Sequence, residues 1–450
     1  MFMESLVSTV IATSLAAMAA DLKVDPVTLK LAFTAYFVAL AMFIPISGWC
    51  ADRYGAKTVF RAAIAVFTLS SIACALAWDL SSLVAGRFCQ GLGGAMMLPV
   101  GRLILLRAIP KRELVSAMAW LSIPALFAPI MGPPVGGFIT TFYHWRGIFW
   151  LNVPVGILGL VLASQFVPQL KSETVRPLDR KGFALTALGL SLAIFGFTLA
   201  GSSSSDIVPA AAMMVSGMAL LGIYVRHARC TADPILDLRL LRIATFRIAM
   251  FGGLLFRIAV GALPFLLPLM LQLGFGLSAF QSGSLTFAAA VGAVTMKLTA
   301  APILRRFGFK RVLSINAVTS SVLLAAAALF TAQTPHVIII FVLLIGGFFR
   351  SLQFTSLNAL AYADIETEQM SRATSFVAVV QQLSLSGGVA VAALMLDVAR
   401  ASAARGKLIA ADFSYAFIAI GVISLLPALM YFRLTATAGA EVSGHRQRSK

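Results

Sequence analysis

Acidic side chains are scarce in this chain and avoid its apolar runs: 17 Asp and Glu stand against 35 Lys and Arg in 450 residues. Charged residues of either sign make up only 12%, hydrophobic residues make up 60%, and the mean hydropathy is +0.93. That balance excludes a soluble domain, which needs a polar surface. Cysteine is limited to Cys50, Cys74, Cys89 and Cys230, with no paired spacing that would make a disulfide framework or a zinc site, so free thiols are expected. The histidines, His144, His227, His336 and His445, fall in loops, span ends or the tail. No imidazole is then left for a metal site at membrane depth, and no cofactor is expected. Long polar stretches are missing too: segments between apolar runs reach about twenty residues, too few for an attached soluble domain.

What the chain has instead is apolar length. Breaks at charged or Pro/Gly-rich points leave fourteen candidate spans, near 1–20, 28–50, 59–78, 81–107, 114–142, 147–167, 182–200, 207–225, 246–270, 279–301, 312–332, 337–360, 373–396 and 413–432. The expected fold is an all-α integral membrane protein, in which lipid replaces most solvent and each helix satisfies its own backbone polar groups. The opening segment lacks the basic leader of a signal peptide and reads as a first span. It is short against the roughly 20 apolar residues a bilayer needs, which leaves open an upstream start.

The net charge of +18 would suggest nucleic acid in a soluble protein, but here the location of the charges decides. Of the Lys and Arg residues, Lys23, Lys30, Arg146, Arg400, Arg405 and Lys407 fall on one side of the alternating spans, and Arg87, Arg102, Arg257, Lys297 and Arg350 fall within spans. All the others crowd into loops and edges on the opposite side. The positive-inside rule then puts both termini in the cytoplasm, with the lipid bilayer rather than nucleic acid as partner.

A repeat is visible within the chain. GWCADRYGAK, after the second span, and APILRRFGFK, after the tenth, are offset by 253 residues, aligning Arg53 with Arg306, Gly55 with Gly308 and Lys57 with Lys310. The organisation expected is a six-helix half over 1–167, two inserted helices with their linkers over 168–245, a second six-helix half over 246–433 and a flexible basic tail over 434–450. Related halves flanking a midplane site are an architecture of alternating-access carriers. The serine run Ser202–Ser205 is an outer turn without a role.

In the tight turn between the second and third spans, Gly48 allows close helix approach and Gly55 a positive backbone angle, while Asp52 is placed to accept from backbone amides opening the third span. Gly48, Asp52, Arg53, Gly55 and Lys57 resemble the loop signature GxxxDRxGRK of the major facilitator superfamily, with Ala56 in place of its usual arginine. The resemblance implies an inner gate that locks and releases as the halves rock. In the fourth span, Arg87, Gln90, Gly91 and Gly94 share one helical face. The stretch Arg87–Ala95 is similar to the superfamily's RxxxGxGxA motif, which implies a part in proton coupling for Arg87.

Pro129, Gly132, Pro133, Pro134, Gly136 and Gly137 interrupt the fifth span, where prolines remove backbone bonds and kink a helix. GPPVGG resembles the signature of the superfamily's antiporters, and His144–Gly156 resembles the segment that follows it in the fourteen-span drug:proton antiporter branch of multidrug efflux proteins. That resemblance makes Gly132, Pro133, Gly136 and Gly137 an antiporter hinge. In the second half, Arg257 lies about 11 residues, roughly 16 Å, into its span. Arg350 and Gln353 share a face of the twelfth span, and Gln381 lies on the thirteenth. With Arg87 and Gln90 these residues make the expected substrate path. Arg102 and Lys297 stand nearer span ends and are expected to snorkel.

The branch's first span typically carries an acidic residue in a pattern like LDxTIVNxALP, and this chain has Val7 there. Glu4 is the acid left well inside a span and is the expected proton site, with Arg87. A cation at bilayer depth costs roughly 2.5–3.5 kcal/mol on insertion scales, so such groups face a polar cavity. The combined reading is a monomeric carrier in a prokaryotic inner membrane that exports a small molecule in exchange for protons. The family resemblance suggests drugs; the cationic interior suggests organic anions. A membrane enzyme or sensor, or an open channel, fits neither the repeat nor the gate motif.

Overall fold

The computed structural model describes residues 3, 18, 21–24, 29–171, 177–200, 207–277, 279–402 and 410–445, and among these there is helix and no strand. The long helices are α1 (Lys30–Phe43), α2 (Ser47–Tyr54), α3 (Ala56–Ala75), α4 (Leu80–Ala108), α5 (Leu114–Phe142), α6 (Asn152–Phe166), α7 (Arg180–Ala200), α8 (Ile207–Cys230), α9 (Ala244–Leu269), α10 (Ala279–Ala326), α11 (His336–Leu360), α12 (Met370–Ser402) and α13 (Ala410–Leu425). Nine segments among the described residues are long and apolar enough to cross a bilayer. Leu69, Val215, Phe341 and Leu429 are exposed on them. Large apolar side chains left outward in such numbers belong against lipid.

Helix ends follow local chemistry. Asp79 and Ser82 cap α4 reciprocally: the Ser82 amide donates to Asp79 Oδ1 at 2.8 Å and the Asp79 amide to Ser82 Oγ at 3.2 Å. Those bonds hold the Asp79 carboxyl below its ordinary value. Between α2 and α3 the chain turns at Gly55, with φ +88°, and Gly308, its repeat mate, has φ +70°. Both lie where only glycine is unstrained, so the two repeats share a backbone geometry as well as a sequence pattern. Around Gly308 the structure matches the sequence expectation: α10 is two helices meeting at a kink, with Gly308 non-helical between the tenth and eleventh candidate spans. The prolines and glycines of the fifth span do not end its helix, and α5 runs from Leu114 to Phe142.

The chain forms two compact units. The first comprises 1–108, 124–238 and 366–379; the second comprises 109–123, 239–365 and 380–450. In the first, α4 packs between α1 and α3, α6 lies on α3, and α7 and α8 form a hairpin whose α7 runs along α1. Only 17% of the apolar window of α8 is buried, which leaves this helix the most lipid-facing of the nine. In the second unit α10 packs on α11 and α13, and α9 on α13 and α11. Its core gathers Leu266, Leu271, Leu324, Phe413, Phe417 and Ile420.

Candidate functional site

Helical spacing puts Arg87 and Gln90 on the same face of α4, and packing against α1 and α3 buries both, Arg87 at 1% exposure and Gln90 at 0%. The Arg87 Nη1 donates to Gln90 Oε1, its Nε to the Ala32 carbonyl at 3.4 Å, and its Cζ lies 4.3 Å from the Tyr36 ring centroid. Gln90 Nε2 donates onward to Ser71 Oγ at 2.6 Å, and Ser71 Oγ to the Phe67 carbonyl at 2.9 Å. Every one of these partners is neutral. Arg87 is therefore held by dipoles and an aromatic face, an arrangement that satisfies its donors without cancelling its charge.

The second unit carries a parallel set. Arg257 on α9 donates to Asn358 Oδ1 at 3.1 Å, and Gln381 Nε2 on α12 donates to the same oxygen at 2.8 Å. The Arg257 Cζ stands 5.5 Å from the Phe354 ring centroid. Arg350, Phe354 and Asn358 follow one another at four-residue steps and so line one face of α11. Arg350 and Arg257 each fold back over the glycine four residues earlier, Gly346 and Gly253, where a Cβ would strike the guanidinium. Gln353 points elsewhere: it accepts from Asn316 Nδ2 at 2.8 Å and is buried. Lys297 is buried rather than snorkelled, at 6% exposure, and donates to Thr355 Oγ1 on α11 at 2.6 Å. Arg102, at 3% exposure, is buried as well. Of the substrate-path residues in this unit, Arg350 alone is partly exposed. No carboxylate among the described residues pairs with Arg87, Lys297 or Arg350.

The turn between α2 and α3 is built differently from its sequence reading. Helix α3 has no side-chain cap. Asp52 instead accepts from Arg107 Nη2 at 3.0 Å and from the Ser371 hydroxyl. Gly48 packs against the start of α12 so closely that a Cβ would collide with the Ser371 carbonyl oxygen, and its amide donates to Ser375 Oγ at 2.9 Å. Gly55 abuts Gln169, and the Ala56 amide donates to the Leu170 carbonyl at 2.8 Å. Arg53 is exposed, and Lys57 is half-buried.

Glu4 lies outside the described residues. Gly132, Pro133 and Gly137 belong to α5, and Gly136 is buried. Tyr36, Ser71, Asn316, Asn358 and Thr355 contact these residues and were missed by sequence reasoning. Asn358 had a signal, eight residues beyond Arg350 on the same face; the others are polar residues in apolar runs whose partners lie far along the chain. Among the described residues no group of His, Cys, Asp and Glu could hold a metal.

Long apolar helices with buried cations and amides in each unit define a multi-pass membrane carrier. The Major Facilitator Superfamily model matches residues 1–225 and 249–450, and the chain belongs to that superfamily. It is 36% identical over 432 residues to the transport protein HsrA of Haemophilus influenzae, covering 96% of this chain and 93% of that one. It is 34% identical over 444 residues to the multidrug resistance protein MdtD of Salmonella heidelberg, covering 96% and 92%. In fold it resembles the human organic anion transporter MFSD10 (TM-score 0.67, 14% identity, 96% of both chains). It also resembles the proton:xylose symporter XylE (TM-score 0.66, 15% identity, 97% and 94%). The protein is a transporter with multidrug-resistance-type relatives, not an enzyme.

Proposed function

We propose that this transporter is a proton-driven exporter of small organic molecules that favours organic anions over lipophilic cations. It would work by alternating access, through fourteen spans in a prokaryotic inner membrane, with both termini cytoplasmic. The observation that carries the substrate class is the sign of the charge within the spans: Arg87 and Lys297, both buried, and Arg350, partly exposed, have no carboxylate among the described residues to neutralise them. Cations held this way cost several kcal/mol in total unless water or an anionic ligand offsets them. Arg350, partly exposed on the face that also carries Phe354 and Asn358, would take the carboxylate, with the ring beside it for an apolar body. Glu4 and Arg87 would couple the proton, and Gly132, Pro133, Gly136 and Gly137 would form the hinge.

Exchange in inverted membrane vesicles tests the reading. A carboxylated dye should enter in a saturable way driven by an acidic interior, and Arg350→Gln should slow it at least tenfold. Saturable uptake of a quaternary ammonium dye that ignores both Arg257→Ala and Arg350→Gln would eliminate the anion proposal. Unchanged coupling in Glu4→Gln would remove Glu4 from the proton path.

A further inference from the structure

Helix α12 opens with an arginine in its first turn, at the end where the helix dipole disfavours a cation. The side chain of Arg372 turns to two carboxylates. Its Nη1 donates to Asp237 Oδ2 at 2.8 Å and its Nη2 to Asp233 Oδ1 at 3.1 Å. The pair is largely shielded, with side-chain exposures of 19% for Arg372 and 8% for Asp237. Both acids belong to the linker that follows α8, and that linker is itself fixed to the foot of the inserted hairpin. The Tyr224 hydroxyl of α8 bonds both the amide and the carbonyl of Leu236, each at 2.8 Å. Asp179, just before α7, accepts from the Ile235 amide at 3.3 Å and contacts His227 Nε2 at 2.9 Å.

The first turn of α12 is thus gripped from two directions. Gly48 and Asp52 hold Ser371 and Ser375, while Asp233 and Asp237 hold Arg372. Asp233 and Asp237 lie in 226–248, between the two segments that the superfamily model matches, whereas Gly48, Asp52 and Arg372 lie within those segments.

We infer that Arg372, Asp233 and Asp237 form a second latch of the inner gate, which makes the inserted α7–α8 hairpin a working part of gating rather than a passive flank. A rigid linker carrying two carboxylates can hold or release the opening turn of α12 as one element. The inference rests on the reading of the α2–α3 turn as a gate, and its test does not depend on knowing the substrate.

The experiment places Ser375→Cys in a cysteine-free background, with the thiol under Gly48, and measures its alkylation by a membrane-impermeant maleimide in inverted vesicles. Arg372→Ala, and separately Asp233→Asn, should speed labelling, by about tenfold for the first, as expected when a coupled pair is cut. The swap Arg372→Asp with Asp237→Arg should slow it again, a rescue that mere loosening of the fold would not give. Glu113→Gln, which removes an exposed pair with Arg112, should leave it unchanged. Equal rates in all latch variants, or a swap that labels as fast as Arg372→Ala, would overturn the latch. Failure of Asp52→Asn to change labelling while the latch variants do would overturn the gate reading instead.

Discussion

Gln90→Glu is an almost isosteric change that gives Arg87 the carboxylate it lacks. Gln90 is fully buried and already accepts from Arg87 Nη1, so the new charge would form at contact distance with no repacking. At about 3 Å and an effective dielectric near 20, the attraction is roughly 5 kcal/mol before desolvation. Burying the new carboxylate returns several kcal/mol of that, leaving a net gain of about 1–2 kcal/mol. The bond to Ser71 is kept by rotating its hydroxyl, at the expense of the bond to Phe67. In detergent, thermal unfolding of Gln90→Glu should shift up by a few degrees. Gln90→Leu, which orphans a charged donor, should shift down by a change worth about 1.5–3 kcal/mol. If Arg87 serves an anion or proton path through its uncancelled charge, Gln90→Glu should also lose about tenfold or more in exchange rate while gaining stability. A Gln90→Glu protein that is as unstable as Gln90→Leu, or that is stabilised with full exchange activity, would refute the reasoning.

Other outcomes follow from individual contacts. Lys297→Met replaces a buried ammonium bonded to one hydroxyl, so thermal stability should hold or rise while anion exchange falls; a large loss of stability would show that Lys297 is structural. Asp52→Asn leaves Arg107, whose side chain is 9% exposed, without its counter-charge and should cost about 1–3 kcal/mol after allowing for partial solvent screening, read as a lower unfolding temperature. Asp79 has a depressed folded-state pKa against an ordinary 3.8 because of its bonds to Ser82. Its contribution is therefore present above the ordinary value and lost as pH falls through the folded one. The unfolding temperatures of wild type and Asp79→Asn should differ at pH 7 and converge as pH is lowered towards 3; a constant gap would show that the cap acts through packing instead.

Much of the helix pattern was legible because apolar length and charged breaks report directly on bilayer crossing. The glycine turn at Gly308 was legible too, since it separates two helices where the repeat places it; the Pro/Gly cluster of α5 was less so, because it stays helical. The Arg87–Gln90 pair was readable because i and i+3 meet on a helix, whatever packs around them. Their partners Ser71 and Tyr36 were not, since the choice depends on which faces of α1 and α3 meet α4. Asp52 misled for the same reason. Its local option was a cap for α3, and a distant serine and Arg107, read only as an orientation charge, offered stronger partners. Arg372 also counted merely as an inside-positive residue until the fold brought the linker acids to it.

The central claim is that an uncancelled positive interior selects the cargo. The most direct measurement is equilibrium binding, to purified wild type and Arg350→Gln, of matched ligands that share one apolar body and differ only in bearing a carboxylate, its methyl ester or an amine. The carboxylate should bind at least about tenfold more tightly than the ester, as one charge-assisted contact would give, the amine weakest of all, and Arg350→Gln should erase the difference. An amine that binds best, with an order of affinities that Arg350→Gln leaves unchanged, would contradict it.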